Sequence, residues 1–218
     1  MMMGPGNFIY NSIEGKTRDE AMSAVRELWD EIRRLKKLMD EDPYCDEMMT
    51  HPMPGVRISV YMDYIKAARD YFDAHGWEYD LSPEEKASKE FDDRIDDIEK
   101  ITVKYGGYLC GGETREITFN GDEVNVEKGV LLGYVSSESD LKYAGYEGLD
   151  STSFLDELKE FHLGEWEKNY ENLLVEDGVQ WEVVIYYNDG KKRKFEGDNA
   201  FPYNFNDFLI FMGMDIFE

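Results

Sequence analysis

A stretch near the C-terminus, residues 181–195, constrains the fold most, because it is typical of two strands joined by a tight turn. Every second residue of its first half is apolar, with the spacing of a strand that buries one face: Trp181, Val183, Ile185 and Tyr187. If residues 188–190 form a three-residue turn with Gly190 in the left-handed conformation, Val183 falls opposite Phe195. A two-residue turn would place Val184 there and move Phe195 to the weaker face. We therefore predict the three-residue turn.

The residues that follow predict a short helix that lies on this hairpin. Pro202 lacks an N–H and ends any strand ladder. Asn204 and Asp207 are residue types that begin helices, and Gly213 is a typical helix end. The residues between them are strongly apolar: Phe205, Phe208, Leu209 and Met212. Because so apolar a helix is not stable alone in water, we expect it to pack on the sheet.

The front of the chain is predicted to be helical. Residues 1–16 are expected to form a flexible leader, since Gly4-Pro5-Gly6 disfavours regular structure. Thr17 and Glu20 make a capping box for a helix that runs to about Asp40. Its apolar residues form a seam with alternating spacings of four and three: Ala21, Val25, Leu28, Ile32, Leu35 and Met39. Packing of this seam within the chain is favoured, and a dimer contact is the alternative.

Two more helices complete a helical domain predicted over residues 17–97. One begins after Gly55 and ends at His75-Gly76, where glycine can adopt the left-handed conformation of a helix end. The other begins at Ser82-Pro83, with proline in the first helical position and two glutamates after it. Its apolar residues include Phe91 and Ile95, which we expect to face the interior of the helical domain.

Beyond residue 98 the apolar residues follow the two-residue period of strands. One strand is indicated by alternating residues at the start of this part: Ile101, Val103 and Tyr105. Asn120-Gly121 is a strong hairpin signal, and a two-residue turn formed by this pair places Ile117 opposite Val124. The turn and the apolar pattern agree, so a second hairpin is predicted here.

A further helix is predicted to begin at Ser151 or Ser153, either of which can cap it. The second part of the chain thus contains strands, a helix, a hairpin and a helix in that order. The predicted fold class is α+β, with an N-terminal helical unit followed by an antiparallel sheet with two helices packed on it. The predicted division is a leader over residues 1–16, a helical domain over 17–97 and an α+β domain over 98–218.

The charge of the chain excludes several classes of partner. Its 218 residues include 24 Lys or Arg and 48 Asp or Glu, for a net charge of −24. Such a surface repels nucleic acid and anionic membranes and attracts basic proteins. No apolar run is long enough to span a bilayer, residues 1–10 lack the pattern of a signal peptide, and two cysteines are too few for a disulfide framework. We therefore expect a cytoplasmic protein.

No arrangement of catalytic residues is recognisable in the sequence. His51, His75 and His162 are scattered, and Cys45 with His51 supplies only two ligands for a metal ion. The glycine-rich segment 106–112 lacks the Lys-Ser/Thr pair of a phosphate-binding loop. No serine, cysteine or histidine lies in a nucleophile motif. We accordingly expect no catalytic, cofactor or metal site.

Acidic residues are concentrated in the third predicted helix and beside it. The carboxylates predicted to bind a partner are Glu84, Glu85, Glu90, Asp92, Asp93, Asp96, Asp97 and Glu99. Helical spacing would stack Asp93 and Asp97 one turn apart, and like charges at that spacing destabilise a helix. The hypothesis is that a basic partner compensates for these charges, and a solvated helix face is the alternative. A second acidic segment, residues 138–150, is the next expected contact.

One combination of features supports a resemblance. It comprises a strand that reaches Gly106-Gly107, the pattern Trp181-x-Val183-x-Ile185, the turn at Asp189-Gly190 and the segment 197–204 with Tyr203 after Pro202. In this combination, residues 98–213 resemble an uncharacterised domain of bacterial hypothetical proteins. That resemblance implies no activity, so no residue takes a role from it. In size, acidity and its helical front, the chain also resembles phage and mobile-element inhibitors of nucleic-acid enzymes, including anti-CRISPR proteins.

These observations predict an acidic, non-enzymatic binding protein. Its expected partner is a basic protein, such as a nucleic-acid-binding enzyme, whose nucleic-acid surface it would occupy as a DNA mimic. It is expected to bind neither nucleic acid nor membrane itself, and either a monomer or a homodimer fits this role. The alternative is a structural or oligomerisation module that uses the seam of residues 21–39 or an edge of the sheet. An enzyme is the least favoured hypothesis.

Overall fold

The computed structural model describes residues 4–41, 49–107, 111–131, 148–172, 175 and 178–214. The chain forms two compact units, Met1–Pro83 and Glu84–Glu218. The first is helical and the second is built on a sheet, so the predicted α+β fold class is confirmed. No helix in the described ranges is long and apolar enough to cross a membrane.

The helical unit contains helices α1 (Pro5–Phe8), α2 (Arg18–Glu41) and α3 (Pro54–Ala74). The described residues before α2 contain helical structure, whereas Gly4-Pro5-Gly6 predicted none. Pro5 occupies the first turn of α1, where its missing N–H costs no hydrogen bond, and a π-helical turn over Ile9–Ile13 follows. Phe8 and Ile13 are buried, and the Phe8 ring stacks on Tyr64 of α3 at a centroid distance of 5.0 Å. These apolar contacts hold the segment on the helical unit.

Helix α2 begins with the predicted capping box. The Thr17 N–H donates to Glu20 Oε2 at 2.9 Å, and the Glu20 N–H donates to Thr17 Oγ1 at 3.4 Å. The seam packs within the helical unit, because four of its residues are fully buried: Ala21, Val25, Ile32 and Leu35. Leu28 and Met39 are half-buried. A dimer formed through this seam would require that packing to open.

The second unit contains α4 (Pro83–Asp92), α5 (Ser151–Lys159) and α6 (Phe205–Phe211), together with six strands. The strands are β1 (Ile98–Gly107), β2 (Gly111–Asn120), β3 (Glu123–Leu131), β4 (Asn169–Glu171), β5 (Val179–Tyr187) and β6 (Lys192–Asp198). Their order in the sheet is β3-β2-β1-β5-β6-β4. Neighbouring strands are antiparallel except β4 and β6, which run parallel. The sheet is therefore mixed only at this short edge.

The register of the β5–β6 hairpin is the predicted one. Val183 lies opposite Phe195, and Gly190 has a φ of 78° in the turn. The Gly190 N–H donates to the Tyr187 carbonyl at 2.9 Å, which closes a three-residue loop. The hairpin between β2 and β3 differs from the prediction, because Gly121 and Asp122 form its turn and Ile117 lies opposite Val126.

The shift in the β2–β3 hairpin has a simple cause. Moving a strand by two residues keeps every side chain on the same face, so the apolar pattern is satisfied in both registers. The choice between them depends on which residues form the turn. Gly121 has a φ of 62°, the left-handed conformation that the first position of such a turn requires. Phe119 consequently lies opposite Val124.

The three helices of this unit lie on one face of the sheet. Its core includes Phe91 and Ile95 from α4 and the turn after it, Phe154 from α5 and Phe208 from α6. The division of the chain thus falls before Glu84 rather than near residue 97, because α4 buries its apolar face against the sheet and not in the helical unit.

Two predicted helix caps are corrected. Helix α5 is capped by Asp150, whose Oδ1 accepts the Ser153 N–H at 2.7 Å, and not by Ser151 or Ser153. Asn204 precedes α6 but does not cap it. Its side chain instead accepts from Trp166 Nε1 at 3.1 Å and donates to the Phe161 carbonyl at 2.7 Å. Asn204 therefore satisfies buried polar groups between the α5 segment and α6.

A buried ion pair joins the sheet to the end of α6. Arg115 of β2 is 2% exposed and Glu113 is 7% exposed. Arg115 Nη2 contacts Glu113 Oε2 at 2.7 Å, and Arg115 Nε donates to the Gly213 carbonyl at 3.2 Å. Gly213 has a φ of 63° and ends α6 as predicted. The guanidinium thus caps a helix C-terminus, where a positive charge is favourable.

Candidate functional site: an acidic patch on the sheet unit

The eight carboxylates predicted to bind a partner were expected on one helix and its approaches, and they lie on three elements and the turn that follows the first of them. Helix α4 ends at Asp92, a 3₁₀ turn covers Ile95–Asp97, and β1 carries Glu99. Asp93 and Asp97 are therefore not stacked one turn apart, as the sequence predicted. Each forms an ion pair with a different residue. Lys89 Nζ lies 2.7 Å from Asp93 Oδ1, and Arg94 Nε lies 3.6 Å from Asp97 Oδ2.

Some of these carboxylates are poorly placed to meet a partner. Glu85 is 6% exposed, which corrects its predicted role in the contact surface. Asp97 is half-buried and holds the β5–β6 turn, because its Oδ1 accepts from Asn188 Nδ2 at 3.3 Å and its carbonyl accepts the Asn188 N–H at 2.9 Å. Glu84 is also half-buried. Glu85 and Asp97 are better explained by the structure of the unit.

Four of the other five predicted carboxylates are accessible. Glu90, Asp93, Asp96 and Glu99 are exposed, and Asp92 is half-buried. Glu99 lies where the register between β1 and β5 shifts, in a bulge that turns its side chain to the surface. The accessible residues follow the C-terminal end of α4 and the chain that leads from it into β1.

The structure adds carboxylates from α5 to this group. Lys159, at the end of α5, hydrogen-bonds to Asp156 at 2.7 Å. The hydrogen bond with Asp156 and the negative charges of Asp96 and Asp92 raise the pKa of Lys159. We call the set Asp92, Asp93, Asp96, Asp156 and Glu160 the acidic patch. Lys159 lies among these carboxylates, and Lys89 forms an ion pair with Asp93.

Close backbone packing brings α4 and α5 together. Gly164 follows α5 in a 3₁₀ turn over Leu163–Glu165, and a Cβ at this position would overlap the backbone of Ala87 and Ser88 in α4. Arg193 of β6 donates to the Gly164 carbonyl at 2.8 Å, and its guanidinium lies 5.5 Å from the Phe91 ring. Glycine is therefore needed at position 164, and the contact fixes the two helix ends that carry the acidic patch.

Asp92 of the acidic patch lies in an environment that disfavours its ionised form. Burial raises the pKa of its carboxyl above the ordinary value of 3.8, and the neighbouring Asp93 and Glu160 raise it further. His162 and Lys159 act in the opposite direction. Among the described residues, the buried Asp92 Oδ1 has no hydrogen-bond partner. A half-buried, poorly solvated carboxylate destabilises the folded chain. Its presence therefore indicates a role other than stabilising the fold.

We expect Asp92→Asn to raise the melting temperature at pH 7, by about 2 °C. The pKa of Asp92 is higher in the folded chain than its unfolded value of 3.8. The ionised carboxylate therefore destabilises the fold fully at pH values above the folded-state pKa, and this destabilisation is absent below pH 3.8. The gain should therefore disappear as pH falls through this window. Melting curves at neutral and acid pH measure it. The control is Asp96→Asn at an exposed position, and an equal gain from both variants would contradict this explanation.

The histidines and cysteines that the sequence offered as metal ligands form no such site among the described residues. They contain no group of three or more His, Cys, Asp or Glu side chains that could hold a metal ion. His75 Nδ1 lies 2.8 Å from the Tyr71 carbonyl in its own helix, which gives this histidine a structural role. Cys45, Cys110 and residues 138–147 of the second predicted acidic segment lie outside the described residues.

Comparison of the chain with protein-family models, with curated proteins and with solved structures finds no match.

Proposed function

We propose that this chain binds a basic protein through the acidic patch and the adjoining carboxylates Glu90 and Glu99. The observation that carries the proposal is the convergence of the ends of α4 and α5, which brings five carboxylates close to one another and to Lys159. One of the five, Asp92, is held half-buried with an unpaired oxygen. A cation from a partner would place a positive charge beside this carboxylate and favour its ionised form.

The finer proposal is that the partner uses the same surface to bind nucleic acid. A row of carboxylates presents charges and acceptor oxygens as a phosphate backbone does, so it suits a surface of Lys and Arg side chains. The net charge of −24 adds long-range attraction that speeds association at low salt. On this proposal the chain is an inhibitor that competes with nucleic acid, of the DNA-mimic or anti-CRISPR type, and it performs no catalysis.

The proposal predicts binding that weakens steeply with salt. Counterions are released when charged surfaces associate, so affinity should fall by orders of magnitude between about 50 and 200 mM salt. The full chain is used to capture a partner from host extract, and calorimetry with the purified partner measures affinity across this range. Duplex DNA is then added as a competitor. Affinity that does not change with salt, or a ternary complex with DNA, would exclude the DNA-mimic proposal.

A charge-matched pair of variants locates the contact. The patch variant is Asp93→Asn, Asp96→Asn and Glu160→Gln, which removes three negative charges. The control is Asp63→Asn, Asp70→Asn and Asp73→Asn, which removes three from exposed positions of α3 in the helical unit. We expect the patch variant to bind at least about tenfold more weakly and the control to change affinity by less than about threefold. Equal losses would indicate attraction by net charge without a defined contact.

The structural-module alternative now depends on the edge of the sheet. The seam of residues 21–39 packs within the helical unit, whereas β3 is the last strand on its side of the sheet order. An edge strand can pair with the same strand of a second copy. Light scattering distinguishes a monomer from a homo-oligomer. A mass of 25.5 kDa at high concentration corresponds to a monomer and argues against this alternative.

A further inference from the structure

A second feature of the sheet unit lies on the polar face of the sheet, away from the acidic patch. It is a cavity of about 780 Å³, which is within the range of small-molecule sites. Strands β1, β5, β6 and β4 lie side by side here and contribute two cross-strand rows. The inner row is Lys104, Glu182, Glu196 and Asn169, and the outer row is Gly106, Gln180, Asp198 and Glu171.

Glycines beside these rows allow a close approach of neighbouring groups. Gly106 is in register with Gly112 of β2, and a Cβ on either residue would lie 2.5 to 2.6 Å from the other residue's Cα. A Cβ on Gly197 of β6 would overlap the Trp181 indole. No side chain can be added at these positions without moving the backbone or the indole. Glycine is therefore needed for the close packing of the strands that border the cavity.

The charges of the inner row are compensated. Glu182 is bridged by Lys104 Nζ and Lys194 Nζ, both at 2.8 Å, and Lys194 also contacts Glu196 at 2.6 Å. Hydrogen bonds from the two lysines lower the pKa of Glu182. The charged residues of this row are thus linked by a continuous chain of ion pairs. The row forms the wall of the cavity that is nearer to the turn between β5 and β6.

The charges of the outer row are not compensated. Asp198 and Glu171 are directly adjacent in the β4–β6 pairing, and like charges in such positions repel. Asp198 accepts from Asn199 Nδ2 and Glu171 accepts from Asn169 Nδ2, each at 2.7 Å. Neither carboxylate has an ion pair with any of the residues that the structure describes. The adjacent Gln180 offers a further amide oxygen, and its Nε2 lies 3.5 Å from Asp198 Oδ2.

We propose that this cavity binds an organic cation with several N–H donors, namely a guanidinium or alkylammonium group. Two adjacent carboxylates and an amide oxygen match the directed donors of such a group, and guanidinium pairs with carboxylate through two parallel hydrogen bonds. A metal ion is a poorer fit, since the described residues supply no cluster of three ligands. This inference is independent of the acidic patch and of the proposed function.

Two sources can supply the cation. One is a free small molecule such as a polyamine, whose spaced ammonium groups can reach Asp198 and Glu171 together. The other is an Arg or Lys side chain of a peptide. The shared chemistry is the donor-rich cation, and the experiment separates the sources by using both kinds of probe.

The test is calorimetric titration of the full chain with arginine amide, spermidine and a short peptide that contains one arginine. Nα-acetyl-citrulline amide is the neutral control, because a urea group of nearly the same shape replaces the guanidinium and the acetyl group removes the charge of the α-amine. The cavity variant is Asp198→Asn with Glu171→Gln. The matched control is Asp63→Asn with Asp70→Asn, which removes the same charge from the helical unit. Circular dichroism confirms that each variant is folded.

We expect saturable binding of at least one cationic probe and none of Nα-acetyl-citrulline amide. Affinity should be at least about tenfold weaker in the cavity variant than in the control variant. Tighter binding of the peptide than of arginine amide identifies a partner's side chain, and tighter binding of spermidine identifies a small molecule. The proposal is overturned by the absence of saturable binding or by equal weakening in both variants. The Asp93→Asn, Asp96→Asn, Glu160→Gln variant should bind the probe normally, which separates this site from the acidic patch.

Discussion

A chain that begins at Glu84 is expected to fold by itself, and a chain that begins at Ile98 is expected to be several kcal/mol less stable. The difference is the segment 84–97, whose Phe91 and Ile95 are each 2% exposed in the core of the sheet unit. Truncation of one buried Phe to Ala typically costs about 3 to 5 kcal/mol. Since whole domains have stabilities of about 5 to 15 kcal/mol, loss of the segment removes a large fraction.

Urea denaturation of the fragments 84–218 and 98–218 measures this effect. The fragment 84–218 should unfold in a single cooperative transition, and the midpoint for 98–218 should be far lower or the transition absent. Phe91→Ala in the full chain is the control that separates loss of one side chain from loss of the whole segment. Equal stabilities of the two fragments would restore the boundary near residue 97 that the sequence suggested.

Removal of either partner of the Glu113–Arg115 pair is expected to destabilise the sheet unit by about 3 to 5 kcal/mol. Both side chains are nearly inaccessible, so Glu113→Ala leaves a buried guanidinium without its counter-ion, and Arg115→Met leaves a buried carboxylate. Arg115→Met also removes the donor to the Gly213 carbonyl at the end of α6. We expect the double replacement by apolar residues to cost less than either single change, because it leaves no unpaired charge.

Chemical denaturation of the two single variants and the double variant gives the coupling energy as a double-mutant cycle. Lys89→Ala is the control, since it removes an ion pair of similar length, 2.7 Å to Asp93, between two exposed side chains. That change should cost less than about 1 kcal/mol. A loss of similar size from Lys89→Ala and from Glu113→Ala would show that burial does not determine the strength of the pair.

Local sequence determined much of the fold. The β5–β6 hairpin was predictable to the residue because its apolar period and its turn both required Val183 opposite Phe195. The β2–β3 hairpin was predicted two residues out of register, because each alternative keeps Ile117 on the same face. The helical start at Pro5 was missed because its stability comes from the burial of Phe8 against α3, a tertiary contact.

The site was less predictable than the fold, because its residues are joined by packing and not by spacing. The run of carboxylates from Glu84 to Glu99 was visible in the sequence, but the burial of Glu85 was not. Asp156 and Glu160 join the group only because Gly164 brings the end of α5 against α4. The sequence did show that α5 has one apolar face and is followed by Gly164. These features indicate close packing, but they do not identify α4 as the helix on which α5 packs.

The alternation of side chains along the strands assigns different tasks to neighbouring residues. In β5, Trp181 and Val183 support the helices, while Gln180 and Glu182 border the cavity on the other face. A change at one of the cavity positions leaves the volume packed beneath the helices unaltered. Single replacements at the cavity positions can therefore change which ligand the cavity accepts while the fold is kept. No compensating change in the core is required.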